Sequence, residues 1–208
     1  MNNSDTIVFV VIVLIIPWLF VLFYLFMVNR GIVKSYKSLA EKYGFEVDTS
    51  KKSGFFRHPV SHGSYRNIPV VIGSFIKEEG RKKSAATQID VDFANPADMD
   101  FIIVKKTNAN NILYGAGAFT VNDSEFDNKF IVNTNDEKRM FDLLNFSIKY
   151  KLLQSLNVGF KGELTLKGNK LQYVENELIK SSVNLLRIEI LLHLLCEIAD
   201  ELKENESL

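Results

Sequence analysis

Gly162-Glu163-Leu164-Thr165-Leu166-Lys167-Gly168-Asn169-Lys170-Leu171-Gln172-Tyr173-Val174-Glu175 is the clearest hairpin in the chain. Leu164 and Leu166 alternate with polar neighbours, Gly168-Asn169 supplies a two-residue turn, and Leu171 and Tyr173 resume the apolar face. Upstream, Thr87, Ile89, Val91 and Phe93 alternate with Gln88, Asp90 and Asp92, which marks a strand buried on one face. Residues 68–76 form a β-branched run after Gly63-Ser64 and the Arg66-Asn67 turn signal, with Pro69 suited to a strand start or an edge. Glu78-Glu79-Gly80-Arg81-Lys82-Lys83 is the charged turn between these two strands. Residues 101–104 and 130–132 read as further short strands, and Asn95-Pro96 punctuates the gap before the first of them.

Helices follow the strands. Thr134-Asn135-Asp136-Glu137 fits a capping box, and Met140, Phe141, Leu144, Ile148 and Leu152 recur at helical spacing, as one helix or a pair lying on the sheet. Residues 178–203 read as one long helix with two adjoining apolar stripes. Leu178, Leu185, Ile188, Leu192, Leu195, Ala199 and Leu202 make the first; Ile179, Val183, Leu186, Ile190, Leu194 and Ile198 make the second. Together they exceed the roughly 100° that one surface helix buries. The second stripe is therefore either covered within the domain or shared with another copy of the chain, with Ile179, Val183, Leu186, Ile190 and Leu194 as the self-association surface. Arg187, Glu189 and His193 interrupt the run and argue against a second membrane span. The expected fold class is α+β: a curved, largely antiparallel sheet with packed helices and a long C-terminal helix, preceded by one transmembrane helix.

That first helix is the strongest signal in the chain. Residues 7–28 carry no charge, and about 22 residues at about 1.5 Å each make roughly 33 Å of helix, enough for a ~30 Å hydrocarbon layer. Pro17, mid-span, is tolerated in a membrane helix and implies a kink. A cleaved signal peptide would need a basic start, a shorter apolar core and a small-residue cleavage site, and Val28-Asn29-Arg30 offers no small pair. Arg30, Lys34, Lys37 and Lys42 follow the span while no Lys or Arg precedes it, so the positive-inside bias expects the N-terminus outside and the bulk in the cytoplasm. The chain is divided accordingly: residues 1–30 are the anchor, 31–44 a juxtamembrane helix stopped by Gly44, and 45–208 the cytoplasmic domain. Arg30, Lys34 and Lys37 stand at headgroup level, where each basic side chain attracts anionic lipid by about 1 kcal/mol.

The chain has 208 residues, 25 basic against 25 acidic, with one cysteine. The charge balance argues against nucleic-acid binding through bulk charge, and a hydrophobic share of 47% with four prolines excludes a disordered chain. Cys196 alone makes neither an internal disulfide nor a multi-cysteine zinc cluster.

The segment Glu125-Phe126-Asp127-Asn128-Lys129-Phe130-Ile131-Val132, then Asp136 and a helix ending Leu143-Leu144, followed by a helix and a hairpin, resembles an uncharacterised family of bacterial membrane-anchored proteins. Its signature is phenylalanine, gap, phenylalanine, x, valine, gap, aspartate. The resemblance spans roughly residues 119–202 together with the general layout. It implies an N-terminal membrane segment before an α+β domain in the plasma (inner) membrane, and it transfers no catalytic residue.

Other constellations have plain readings. His58 and His62 are four apart, but Pro59 between them disfavours the helix that would make them co-ligands, and Asp90 and Asp92 belong on a solvent face. Gly115-Ala116-Gly117-Ala118 lacks the third glycine and following helix of a dinucleotide loop and reads as a tight bend. Cys196 reads as a buried thiol, Lys82 and Lys83 as a solvated hairpin tip, and residues 197–206 as a frayed acidic end. No catalytic residue, cofactor or metal is expected. The expectation is a membrane-tethered, non-catalytic interaction module, self-associating or docking on another membrane protein. The alternative is an enzyme or ligand-binding domain for a small or membrane-derived molecule, built on Phe55, Phe56, Tyr65, Phe75, His58 and His62.

Overall fold

The computed structural model describes residues 3–53, 56–80, 82–95 and 98–204. One helix, α1 (Asn3–Tyr43), runs from the apolar segment into the domain, carries Pro17 inside it, and ends where Gly44 takes φ +70°. Positive φ is what glycine tolerates at a helix C-terminus. Strands β1 (Glu46–Asp48), β4 (Val60–Tyr65), β5 (Ile68–Glu79) and β6 (Lys82–Asp92) follow, with β2 (Lys52–Ser53) and β3 (Phe56–Arg57) paired apart from them. Next come β7 (Phe101–Lys105), α2 (Asn108–Tyr114), α3 (Ser124–Asp127), β8 (Phe130–Thr134), α4 (Glu137–Leu143) and α5 (Phe146–Asn157). The hairpin β9 (Glu163–Lys167) and β10 (Lys170–Glu175) precedes the long helix α6 (Ser182–Glu204).

Eight strands form one open sheet in the order β1-β4-β5-β6-β10-β9-β7-β8, every neighbouring pair antiparallel. A single register line crosses all eight: Val47, Ser61, Ile72, Ile89, Tyr173, Leu164, Ile103 and Val132 are successive partners. Seven of these eight are buried; Val47, on the edge strand, is half-buried. Side chains two residues apart share a face, so this line fixes the covered face of the sheet, against which α1 and α6 pack, with α5 packed on α6.

Helices α1 and α6 run side by side and parallel. Lys42 Nζ donates to Glu189 Oε2 at 2.8 Å, Tyr43 Oη lies 2.9 Å from His193 Nε2, and a Cβ at Gly31 would stand 3.0 Å from the Lys180 carbonyl oxygen. Sequence separations of 147 and 150 for the first two pairs put matching positions at matching heights. Ile32, Tyr36 and Leu39 have no exposed surface. At about 1.5–3 kcal/mol for each large apolar side chain buried, this face of α1 is a substantial part of the core. The core therefore begins at Ile32, inside the helix that continues the apolar segment, and not only at residue 45.

Several expected boundaries shift. The turn between β5 and β6 is tighter than the charged run implies, since Glu79 still pairs with Lys82. Pro69 sits at the start of β5, one position before pairing with β6 begins. Asp136, not Thr134, caps α4, accepting from the Arg139 N–H at 3.0 Å. Asn145 then caps α5 by accepting from Ile148 N–H, so the helical run is a pair and Phe141 is exposed. The long helix starts at Ser182, with Ser181 Oγ accepting from Asn184 N–H, so Leu178 and Ile179 belong to the preceding loop. The acidic end is helical through Glu204: Leu202 is buried, Glu197 is bound by Ser147 and Lys151, and Glu201 by Asn145. Residues 205–206 lie outside the described residues.

Candidate functional site

On α1 the core face carries Ile32, Tyr36, Leu39 and Ala40. The opposite face carries Phe26, Arg30, Val33, Lys34, Lys37 and Glu41, spaced by three and four, which aligns them along one side of a helix. Thr49 and Arg57 face this stripe from the chain after β1, and the space between is a groove of about 960 Å³. Two hydrogen bonds hold the far wall: Arg57 N–H donates to Asn29 Oδ1 at 2.9 Å, and Arg57 Nη1 donates to the Thr49 carbonyl at 3.3 Å. Four cations, Arg30, Lys34, Lys37 and Arg57, line the groove against one carboxylate, Glu41. Among the described residues, Arg30, Lys34 and Lys37 make no ion pair. The groove is graded along its length. Phe26, 60% exposed, lies at the end of the apolar run, and the cations begin one turn further on.

The sequence places Arg30, Lys34 and Lys37 together, and the structure adds Arg57 to them. Nothing local in the sequence singles Arg57 out, because the strand that carries it is two residues long and is brought to the helix by a side-chain amide.

The second stripe of α6 divides. Ile179 and Leu194 are buried in the domain's own core, at 1% and 0% exposure, while Ile190 is half-buried. Val183 and Leu186, in the first two turns of α6, are exposed, at 60% and 49%.

A buried ionic cluster joins the sheet to α6. Arg187 Nε and Nη2 donate to Glu175 Oε2 and Oε1, each at 2.8 Å, and Nη2 also reaches Glu177 Oε2 at 2.8 Å. Tyr173 Oη donates to Glu175 Oε2 at 2.8 Å and accepts from Gly162 N–H. Burial opposes the Arg187 charge, and the Glu175 and Glu177 carboxylates outweigh it, raising the guanidinium pKa. Burial, with Glu175 beside it, pushes the Tyr173 phenol well up. Arg187, Glu175 and Tyr173 thus bind one another in the interior, while Glu177, a quarter exposed, is also paired with Lys161 at 2.7 Å, and the cluster locks the sheet to α6.

The histidines do not converge. His62 is exposed on the outer face, 3.1 Å from Glu46, whereas His58 is buried with no hydrogen-bond partner on either ring nitrogen among the described residues. Tyr65 lies on the covered face, stacked on His193 at 5.2 Å, while Phe75 lies on the outer one. Phe55 and the side chain of Phe56 lie outside the described residues. Asp90 is held by Lys170 at 2.9 Å and by Gln172. Among the described residues no group of three His, Cys, Asp or Glu side chains could hold a metal ion. Cys196 is buried, and burial, helped by Asp200, pushes its thiol up to about 12. Gly117 takes φ +78° in the bend of the small-residue run.

The fold is α+β with an eight-stranded antiparallel sheet, and among the described residues one helix is long and apolar enough to cross a membrane. No family model matches the chain, and no curated protein matches it. Among solved structures it is similar to the mycobacterial trehalose monomycolate transport factor A, TtfA, with 12% identity and a TM-score of 0.53 over 83% of this chain and 95% of that one. At that identity the likeness is one of fold.

Proposed function

We propose that the protein is a membrane-tethered, non-catalytic interaction module, anchored in the plasma (inner) membrane with its N-terminus outside and its α+β domain on the cytoplasmic side. The observation that carries this reading is the continuity of α1. The same helix presents exposed apolar side chains such as Leu19, Phe20 and Phe23 and then buries Ile32, Tyr36 and Leu39 in the core. A domain built this way is held at a set height above the bilayer and does not swing on a linker. The cations that follow the apolar run, Arg30, Lys34, Lys37 and Lys42, support the orientation. The groups best suited to chemistry, Arg187, Glu175 and Cys196, are committed to the interior.

Self-association is the reading that Val183 and Leu186 favour. Two exposed apolar side chains at the foot of α6, on chains confined to one bilayer, gain from the raised effective concentration that tethering brings. Crosslinking of the full chain in nanodiscs tests it. A dimer lost in Val183→Ser/Leu186→Ser supports the surface, and a monomer at every protein-to-lipid ratio removes it. Alkaline extraction of membranes tests the tether: the full chain stays in the pellet, and recovery in the supernatant defeats the reading.

A further inference from the structure

We propose that the groove between α1 and the Thr49–Arg57 wall is a binding site for one anionic phospholipid, the phosphate held by Arg30, Lys34 and Arg57 and an acyl chain lying along Phe26. This deepens the membrane-tethered reading and rests on it. Three features of the groove point to this ligand. None of its four cations is ion-paired among the described residues, and Glu41 is the single carboxylate in the lining, so the groove carries a positive excess that complements an anionic group. Its polarity changes along the helix axis in the order a lipid requires. Phe26 is one turn, roughly 6 Å, before Arg30, and the headgroup layer on each side of a bilayer is about 5–8 Å deep. Its two walls come from chain segments fixed to each other by the Arg57 N–H to Asn29 bond, so the guanidinium stands across the groove from the helix cations. A free phosphate would use the cations and leave the Phe26 end without purpose; a lipid uses both.

The probe is phosphatidylglycerol. The full chain is placed in nanodiscs of phosphatidylcholine containing phosphatidylglycerol, released into mild detergent, and its retained lipid counted by native mass spectrometry. One phosphatidylglycerol retained in preference to phosphatidylcholine is expected. Lys34→Gln/Arg57→Gln is expected to lower that retention by about tenfold or more. Lys34→Gln/Lys37→Gln, which touches only exposed helix positions, gives the same direction without disturbing the Thr49 contact. Lys167→Gln/Lys203→Gln removes equal charge elsewhere and leaves retention unchanged. Equal retention of the two lipids, or equal loss in the Lys167/Lys203 control, overturns the site. Displacement of the lipid by soluble glycerol phosphate overturns the acyl-chain half and leaves a plain phosphate site. Failure of the full chain to enter nanodiscs at all counts against the tether, and is thereby separate from failure of the groove.

Discussion

Arg187 and Glu175 form a two-pronged ion pair, 2.8 Å on each prong, with side chains 3% and 0% exposed. It fastens the end of β10 to the second turn of α6. Removing one partner of such a buried pair strands the other charge and typically costs about 3–5 kcal/mol. Arg187→Met is therefore expected to lower the denaturation free energy of the full chain in detergent by that amount. Arg187→Met/Glu175→Leu is expected to recover a large part of it, because the buried carboxylate is gone and Glu177, the other partner of Arg187, keeps Lys161 at 2.7 Å.

Gly162 is fixed by contact. A Cβ there would stand 2.2 Å from the Val174 carbonyl oxygen and 2.6 Å from the Tyr173 ring. Backbone cannot give way as a flexible side chain does, so Gly162→Ala is expected to destabilise by about 2 kcal/mol or more. It should also loosen the Tyr173–Glu175 hydrogen bond, visible as a red-edge change in near-ultraviolet tyrosine dichroism.

Stability should fall in mild acid. Burial depresses the His58 pKa below its ordinary 6.5, and His193 shifts the same way through burial first and then Arg66 and Lys42. The unfolded chain then binds more protons than the folded one just below 6.5. The stabilisation is complete above that value and is lost as pH falls through it toward the folded pKa. Thermal unfolding of the full chain between about pH 7.5 and 5.5 should show the drop, and His58→Gln should flatten it. An unchanged slope in that variant would remove His58 from the explanation.

The two kinds of position in the second α6 stripe separate cleanly by mutation. Leu194→Ala empties a fully buried site and is expected to cost about 2–5 kcal/mol. Val183→Ser/Leu186→Ser alters exposed positions and is expected to stay within about 0.5 kcal/mol per site, while abolishing any dimer seen by crosslinking.

How much of this was legible in the chain depends on where the information lies. The hairpin around Gly168-Asn169 and the strand 87–93 were readable because alternation and turn chemistry are local. The turn at Arg66-Asn67, with φ of 53° and 61°, was readable for the same reason. Phe126, Phe130, Val132 and Asp136 each have a structural role: the two rings stack at 5.1 Å, Val132 lies in the register line, and Asp136 caps α4. Short strands such as β1 and β3 were not legible, since two or three residues carry no period. The apolar pattern runs on ahead of the start of α6 because Leu178 and Ile179 are apolar for the core's sake while sitting in a loop. The role of Arg187 was hidden too. It reads as an interruption of an apolar run, and only the return of β10 to the same place supplies its carboxylate. In the groove, the three helix cations were visible as a flank and Arg57 was not.

The union of span and core in one helix is tested most directly by a distance. Spin labels at Phe20→Cys and Glu41→Cys, in a Cys196→Ser background reconstituted in nanodiscs, bracket the passage from the apolar run to the domain. Both native side chains are exposed and lie after Pro17. At about 1.5 Å per residue the positions stand roughly 32 Å apart along an unbroken helix, so double electron–electron resonance should give one narrow distribution near that distance. A broad distribution, or one centred well below it, would mean that the chain breaks at the membrane surface and that the domain is loosely hung, contrary to the reading given for α1.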